Sequence, residues 1–230
     1  MLKKVAILVD GNFFIKRHKS YFRIKNKNYE PTPKELAKAL QRHCLKHIDR
    51  EKEELYRIFF YDCKPLTKKT HYPLPPNKSL DCSKTKAYKE KMELHKYLIS
   101  TPCLALRLGY LDEQNASWIL KDEEKRKHLL SGKLGVDQLS DDDYQYYAKQ
   151  KGVDMKIGID IATLALKKLV QKIVLISGDS DFVPASKLAR TEGIAFTLDP
   201  MGNPIKENLE EHIDYLKTTL PHFKKKVNSL

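Results

Sequence analysis

Two short stretches set carboxylates where an apolar run stops. In "VLISGDSDFVP", Val174 to Pro184, Asp179 and Asp181 follow branched apolar residues with no cation between them. In "VAILVDGNFF" the run ends at Asp10, Gly11 permits a sharp turn, and Asn12 sets an amide beside the carboxylate. A third stretch, "KGVDMKIGIDIATLALKKLV", reads as a helix with Ile157, Ile161, Leu164 and Leu169 on or near its apolar face. Asp160 falls among them, an expensive place for an ionised carboxylate unless it is paired or holds a metal. Asp154 lies six positions earlier and points about 120° away on a continuous helix. The two acids therefore converge only if Asp154 sits at or before the helix start, an entry that Gly152 permits. Gathered carboxylates push one another toward protonation. A hard cation, Mg²⁺ or Mn²⁺, relieves that repulsion, binds phosphate oxygens and can activate water for displacement at phosphorus.

Each acid also has a structural reading. Asp181 can cap the helix beginning at Phe182, Asp10 can be a turn residue, and Asp154 can serve the helix dipole. Asp160 can pair with Lys156 one turn back. His43 and His47, four apart, could share a metal, but on so cationic a helix they are expected to face solvent.

The elements that must position these residues alternate. Strand-like runs fall at 5–10, 56–61, 104–111, 173–177 and 194–198. Between them lie helical patterns: one opening with Thr32 as cap and Pro33 at its first position, then 84–99, 155–170, 183–192 and 205–216. Short Val/Ile/Leu-rich strands alternating with amphipathic helices predict a mainly parallel sheet covered on both faces, a three-layer α/β/α sandwich. Ligands then bind at the carboxyl ends of the strands, where strand order reverses. Ser177, Asp179, Ser180 and Asp181 would sit there, near Asp10 if the two strands are neighbours. A Pro/Lys-rich loop at 64–83 and a polar insertion at 112–152, with a helical piece at 140–150, break the alternation.

Length and composition, 230 residues at 41% hydrophobic, fit one domain over 1–230 with insertions. No apolar run approaches the roughly 18 residues of a membrane span, and the chain enters "VAILVD" without a signal-peptide cleavage region. The expectation is a soluble, cytoplasmic protein with no membrane partner. Cys44, Cys63, Cys82 and Cys103 lack paired zinc spacing and read as reduced thiols. The net charge is +13, of which 12 come from two segments: 16–29, with Lys16, Arg17, Lys19, Arg23, Lys25 and Lys27 and no acid, and 63–91, with eight lysines against Asp81 and Glu90. Charge so concentrated favours a polyanion.

At these residues the sequence resembles the NYN domain family, LabA-like proteins related to PIN-domain and FLAP-type nucleases. The matching segments are "VAILVDGNFF", "KGVDMKIGIDIATLA" and "KIVLISGDSDFVPASKLARTEGIAFTLDP". The resemblance implies a Rossmann-like PIN fold and a divalent-metal nuclease centre directed at RNA more than DNA. Carried over position by position, Asp10, Asp160, Asp179 and Asp181 would be catalytic and hold the metal, with Asn12, Asp154 and Ser177 in support. Phe13 stands where many members have a second Asn. The expected activity is that of a Mg²⁺- or Mn²⁺-dependent endoribonuclease. The six cations of 16–29 would steer the strand, and Tyr21, Phe22 or Tyr29 would stack on bases. The alternatives are a nucleic-acid-binding or regulatory module with little turnover and a metal-dependent phosphatase.

Overall fold

The structure, a computed structural model, describes residues 2–205 and 207–220. In chain order its elements are β1 (Lys3–Asp10), α1 (Gly11–Arg23), α2 (Pro33–Leu45), β2 (Glu53–Cys63), β3 (Lys69–His71), β4 (Ser79–Asp81), α3 (Lys86–Ile99), β5 (Leu104–Leu111), β6 (Ser117–Leu120), α4 (Glu123–Leu130), β7 (Tyr144–Tyr147), β8 (Gln150–Lys151), α5 (Val153–Leu166), β9 (Lys172–Ile176), α6 (Val183–Thr191), β10 (Ala195–Asp199), α7 (Glu207–Glu210) and β11 (Tyr215–Leu216). They form two compact units: residues 1–62, 93–109 and 152–230, and residues 63–92 and 110–151.

The larger unit is built on a sheet ordered β11-β10-β9-β1-β2-β5. β1 pairs parallel with β2 on one side and β9 on the other, and β9 pairs parallel with β10. Val5 to Val9 are wholly buried. Side chains alternate across a strand, so Val5, Ile7 and Val9 face one layer, where they pack with Phe14 of α1, Leu36 and Leu40 of α2, and Leu94 and Leu98 of α3. Ala6 and Leu8 face the other, covered by α5. Each fully buried Ile or Leu contributes roughly 1.5–3 kcal/mol, which makes this central strand the best-anchored part of the sheet. The mainly parallel α/β/α architecture expected from the alternation is the one observed. α2 starts as the sequence requires: Thr32 and Glu35 form a reciprocal capping box, with Pro33 at the first helical position.

The smaller unit departs from its expected elements. The segment 64–83 is not all loop, because β3 and β4 form a short antiparallel hairpin within it. At 140–150 a single 3-10 turn, Asp141–Asp143, gives way to β7, which pairs antiparallel with β6. "YQYY" alternates in burial and is aromatic, a strand signal that outweighs the helical start suggested by Ser140. Within this unit Tyr110 and Leu111 of β5 pair with β8. In the larger unit the helix expected at 205–216 is instead one turn, α7, followed by the short strand β11. Among the described residues no helix is long and apolar enough to cross a membrane.

Candidate active site at the carboxyl edge of the sheet

β1 continues toward β2 on one side while β9 continues toward β10 on the other, so strand order reverses between β1 and β9. Crevices of this kind receive ligands in open α/β sheets. Val9 pairs with Ile176, which brings Asp10 and the Ser177–Asp181 turn to the same edge. The two segments touch: a methyl group added at Gly178 would lie 2.8 Å from the Phe13 ring. Gly11 is required by close approach, since its added methyl would lie 2.5 Å from the Tyr61 carbonyl oxygen and 2.6 Å from the Phe60 ring.

Asp10 caps α1, its half-buried carboxylate accepting the Phe13 N–H at 3.0 Å. Burial raises its pKa, the Phe13 N–H opposes this, and the carboxylates of Asp154 and then Asp62 raise it further. Both electrostatic neighbours of this acid are thus acids. Asp179 caps the turn Ser180–Phe182 by accepting the Asp181 N–H at 3.0 Å, and the buried Ser177 hydroxyl accepts the Asp179 N–H at 3.3 Å. Asp179 and Asp181 are both exposed, and the cap of that turn is Asp179, not Asp181.

On α5 the two acids diverge. Gly152, in the left-handed conformation at φ 74°, turns the chain into the helix, and Val153 is its first residue. Asp154 therefore lies inside the first turn, and its carboxylate neighbours Asp10 while Asp160 is held elsewhere. The Tyr61 hydroxyl donates to Asp160 Oδ2 at 2.7 Å, and Arg107 Nε sits 3.2 Å from the same oxygen. The ion-pair partner of Asp160 is thus Arg107 of β5 rather than Lys156. Burial pushes the Tyr61 phenol far up, and the Asp160 charge pushes it further, so Tyr61 remains a donor.

Sequence reasoning overlooked Asp62 and Asp199. "IFFYD" and "AFTLD" end apolar runs in an acid just as "AILVD" does, and the same signal would have found both. Asp62 is fully buried and takes His95 Nε2 at 3.0 Å. Asp199 is fully buried, with His43 Nε2 and His47 Nε2 each 2.8 Å from Oδ2 and the Met201 N–H donating to Oδ1. Burial would raise the Asp199 carboxyl, but the two imidazole hydrogen bonds outweigh it and hold the group well below the ordinary range. The expectation that His43 and His47 face solvent is therefore overturned: they are 5% and 1% exposed, because the last turn of α2 and the turn that follows it carry both rings inward onto Asp199 at the end of β10. Among the described residues this trio is the one set of three or more His, Cys, Asp or Glu ligand atoms lying within 4.8 Å of one another, so the acids around Asp10 stand wider apart. The four cysteines are free thiols.

The basic helix is partly neutralised. Glu30 pairs with Lys19 at 2.8 Å and also with Arg23, and Arg17 donates to the Met201 carbonyl at 2.9 Å. Lys16 and Lys27 are exposed. Lys16, Lys19 and Arg23 line a surface depression of about 610 Å³ with Ile15, Ser20 and Ile24. The aromatics expected to stack on bases are engaged with one another instead: Tyr21 is buried, and Phe22 and Tyr29 pack around His18 with ring centroids 4.6–5.9 Å apart.

The NYN domain family model matches residues 93–212, which include Asp154, Asp160, Ser177, Asp179 and Asp181 and begin after β1 and Asp10. No curated protein matches the chain. The crystal structure of a protein of unknown function from Vibrio parahaemolyticus aligns over 95% of this chain and 93% of its own, with 13% identity and a TM-score of 0.44.

Proposed function

We propose, for a chain that belongs to the NYN domain family, that the crevice between β1 and β9 is the centre of a divalent-metal-dependent ribonuclease. The family's PIN-like nuclease fold implies a hydrolase with a nucleic-acid substrate. The observation that carries the metal is Asp10: a half-buried carboxylate whose electrostatic neighbours are Asp154 and Asp62, all of them oxygen donors. That donor set fits a hard cation, Mg²⁺ or Mn²⁺, better than a soft one.

In this reading Asp10, Asp179 and Asp181, from neighbouring strand ends, hold the ion, with Asp154 beside them. Asp160, whose Oδ2 is engaged by Tyr61 and Arg107, would have only Oδ1 to offer the ion, in an orientation those two partners fix. Bound there, the ion supplies an activated water and neutralises charge developing at phosphorus. Asn12 and Ser177 support the turn geometry, and Gly11 and Gly178 let Phe60, Tyr61 and Phe13 pack closely beneath the acids. Lys16, Arg17, Lys19, Arg23, Lys25 and Lys27 attract the strand, the depression lined by Lys16, Lys19 and Arg23 being the part of that helix best shaped to receive it. RNA is favoured over DNA, and the site of action is the cytoplasm.

Labelled single-stranded RNA, single-stranded DNA and a simple phosphate ester, each with Mn²⁺, Mg²⁺ or chelator, test the reading. RNA cleavage that needs the ion supports it. Binding of RNA without turnover would favour a regulatory module, and hydrolysis of the ester alone a phosphatase. Neutralising Lys16, Arg17, Lys19 and Arg23 should flatten the salt dependence of RNA binding, by roughly 0.7 in logarithmic slope for every phosphate no longer neutralised. Turnover at saturating RNA should change much less, because these cations hold ground and transition states alike. An unchanged slope would remove this helix from the nucleic-acid track.

A further inference from the structure

We infer that His43, His47 and Asp199 form a second metal site, separate from the acids around Asp10, which takes a zinc-class divalent cation and fastens α2 to the end of β10. The three ligand atoms already face one another. His43 in the last turn of α2 and His47 in the turn that follows it present their Nε2 atoms to the same carboxylate oxygen, each 2.8 Å from Asp199 Oδ2, with all ligand atoms within 4.8 Å. A tetrahedral zinc with bonds of roughly 2.0–2.2 Å separates its ligands by about 3.3 Å, so the trio has only to open by about half an ångström. Two imidazoles and one carboxylate are the donor set a borderline cation prefers over Mg²⁺.

Charge points the same way. Asp199 is fully buried, and among the described residues its partners are two imidazoles and one backbone N–H, with no ammonium or guanidinium. A divalent ion would set a full positive charge against this buried carboxylate. The surroundings suit ligation too: the Thr219 hydroxyl lies 3.1 Å from His43 Nδ1 and 3.2 Å from its Nε2, able to accept the Nδ1–H once Nε2 is committed to a metal. His47 Nδ1 is buried without a hydrogen-bond partner, so the ring's anchorage depends on what its Nε2 holds. With ligands 5%, 1% and 0% exposed, the ion would be shielded from bulk solvent, and a water would complete its tetrahedron as the fourth ligand.

The test uses the full chain, unfolded in denaturant with chelator and refolded with or without Zn²⁺. Elemental analysis should find about one zinc per chain, and the thermal midpoint should rise with zinc. Co²⁺ refolded in its place should give the visible absorption of a four-coordinate site. Asp10→Asn with Asp179→Asn should keep this zinc, which separates the site from the proposed nuclease centre. Asp199→Asn keeps one oxygen for the imidazole N–H groups and sets its NH2 against the Met201 N–H, so some loss of stability is expected with or without a metal; the deciding readout is zinc affinity, which should fall at least tenfold if Asp199 is a ligand. Wild-type chain that refolds equally well without zinc and retains less than about a tenth of an equivalent overturns the inference, as does an Asp199→Asn variant that holds zinc like wild type. If Asp199→Asn fails to fold, the wild-type zinc content and cobalt spectrum decide alone.

Discussion

At the scale of residues, Asp10 is under strain that a cation would relieve. Its folded pKa is raised, so the folded state holds this proton more tightly than the unfolded chain. That contribution to stability is complete below the ordinary value of 3.8 and disappears as pH rises through the raised folded value. Without metal, Asp10→Asn should therefore be as stable as wild type or more so at neutral pH, with the difference shrinking in acid, while Mn²⁺ binding by calorimetry is lost. A lower midpoint at neutral pH would make Asp10 a structural cap before anything else. Gly11→Ala should fail differently: its methyl meets backbone at 2.5 Å and should cost about 1–3 kcal/mol or more in urea unfolding. The acids at 10, 154, 160, 179 and 181 were legible because each follows or interrupts an apolar run. Asp62 and Asp199 carried the same signal and were missed because their partners, His95, His43 and His47, come from distant helices that only the fold brings to the sheet edge.

Elements explain why some expectations failed. Asp154 and Asp160 could converge only if Asp154 preceded α5, but the left-handed turn at Gly152 starts the helix at Val153, so the two acids point apart and acquire different neighbours. The capping box of α2 was readable from four residues, whereas β7 was read as helix because Ser140 and the acids after it resemble a helix start, and its four-residue aromatic run gains its strand identity by pairing with β6. α1 offers a prediction of its own. His18 stacks on Phe14 and packs at a tilt against Phe22, and its burial, with His43 nearby, lowers its pKa from 6.5 to about 4. The unfolded chain protonates at the ordinary value and the folded one does not, so stability is complete above pH 6.5 and is lost as pH falls toward 4, by at most roughly 3 kcal/mol. His18→Phe, compared with wild type in chelator, should lose less stability between pH 7.5 and pH 4.5. Equal losses in the two proteins would show that His18 does not govern acid unfolding.

At the scale of the whole molecule, the sheet sends an acid from the end of each of β1, β2 and β10 and from the turn after β9: Asp10, Asp62, Asp199 and Asp179. Two are buried against histidines and two stand at the switch-point crevice. The framework was legible because a buried parallel sheet leaves strong apolar runs; the smaller unit was not, because its short strands are stabilised by pairing rather than pattern. The central claim is that the crevice acids make this chain a metal-dependent ribonuclease. The most direct measurement is cleavage of labelled single-stranded RNA by wild type and Asp10→Asn, each folded identically and assayed in Mn²⁺ and in chelator. Cleavage by wild type in Mn²⁺, with at least a hundredfold loss in the variant and in chelator, is the predicted result; equal cleavage by Asp10→Asn, or cleavage that persists in chelator, would contradict it.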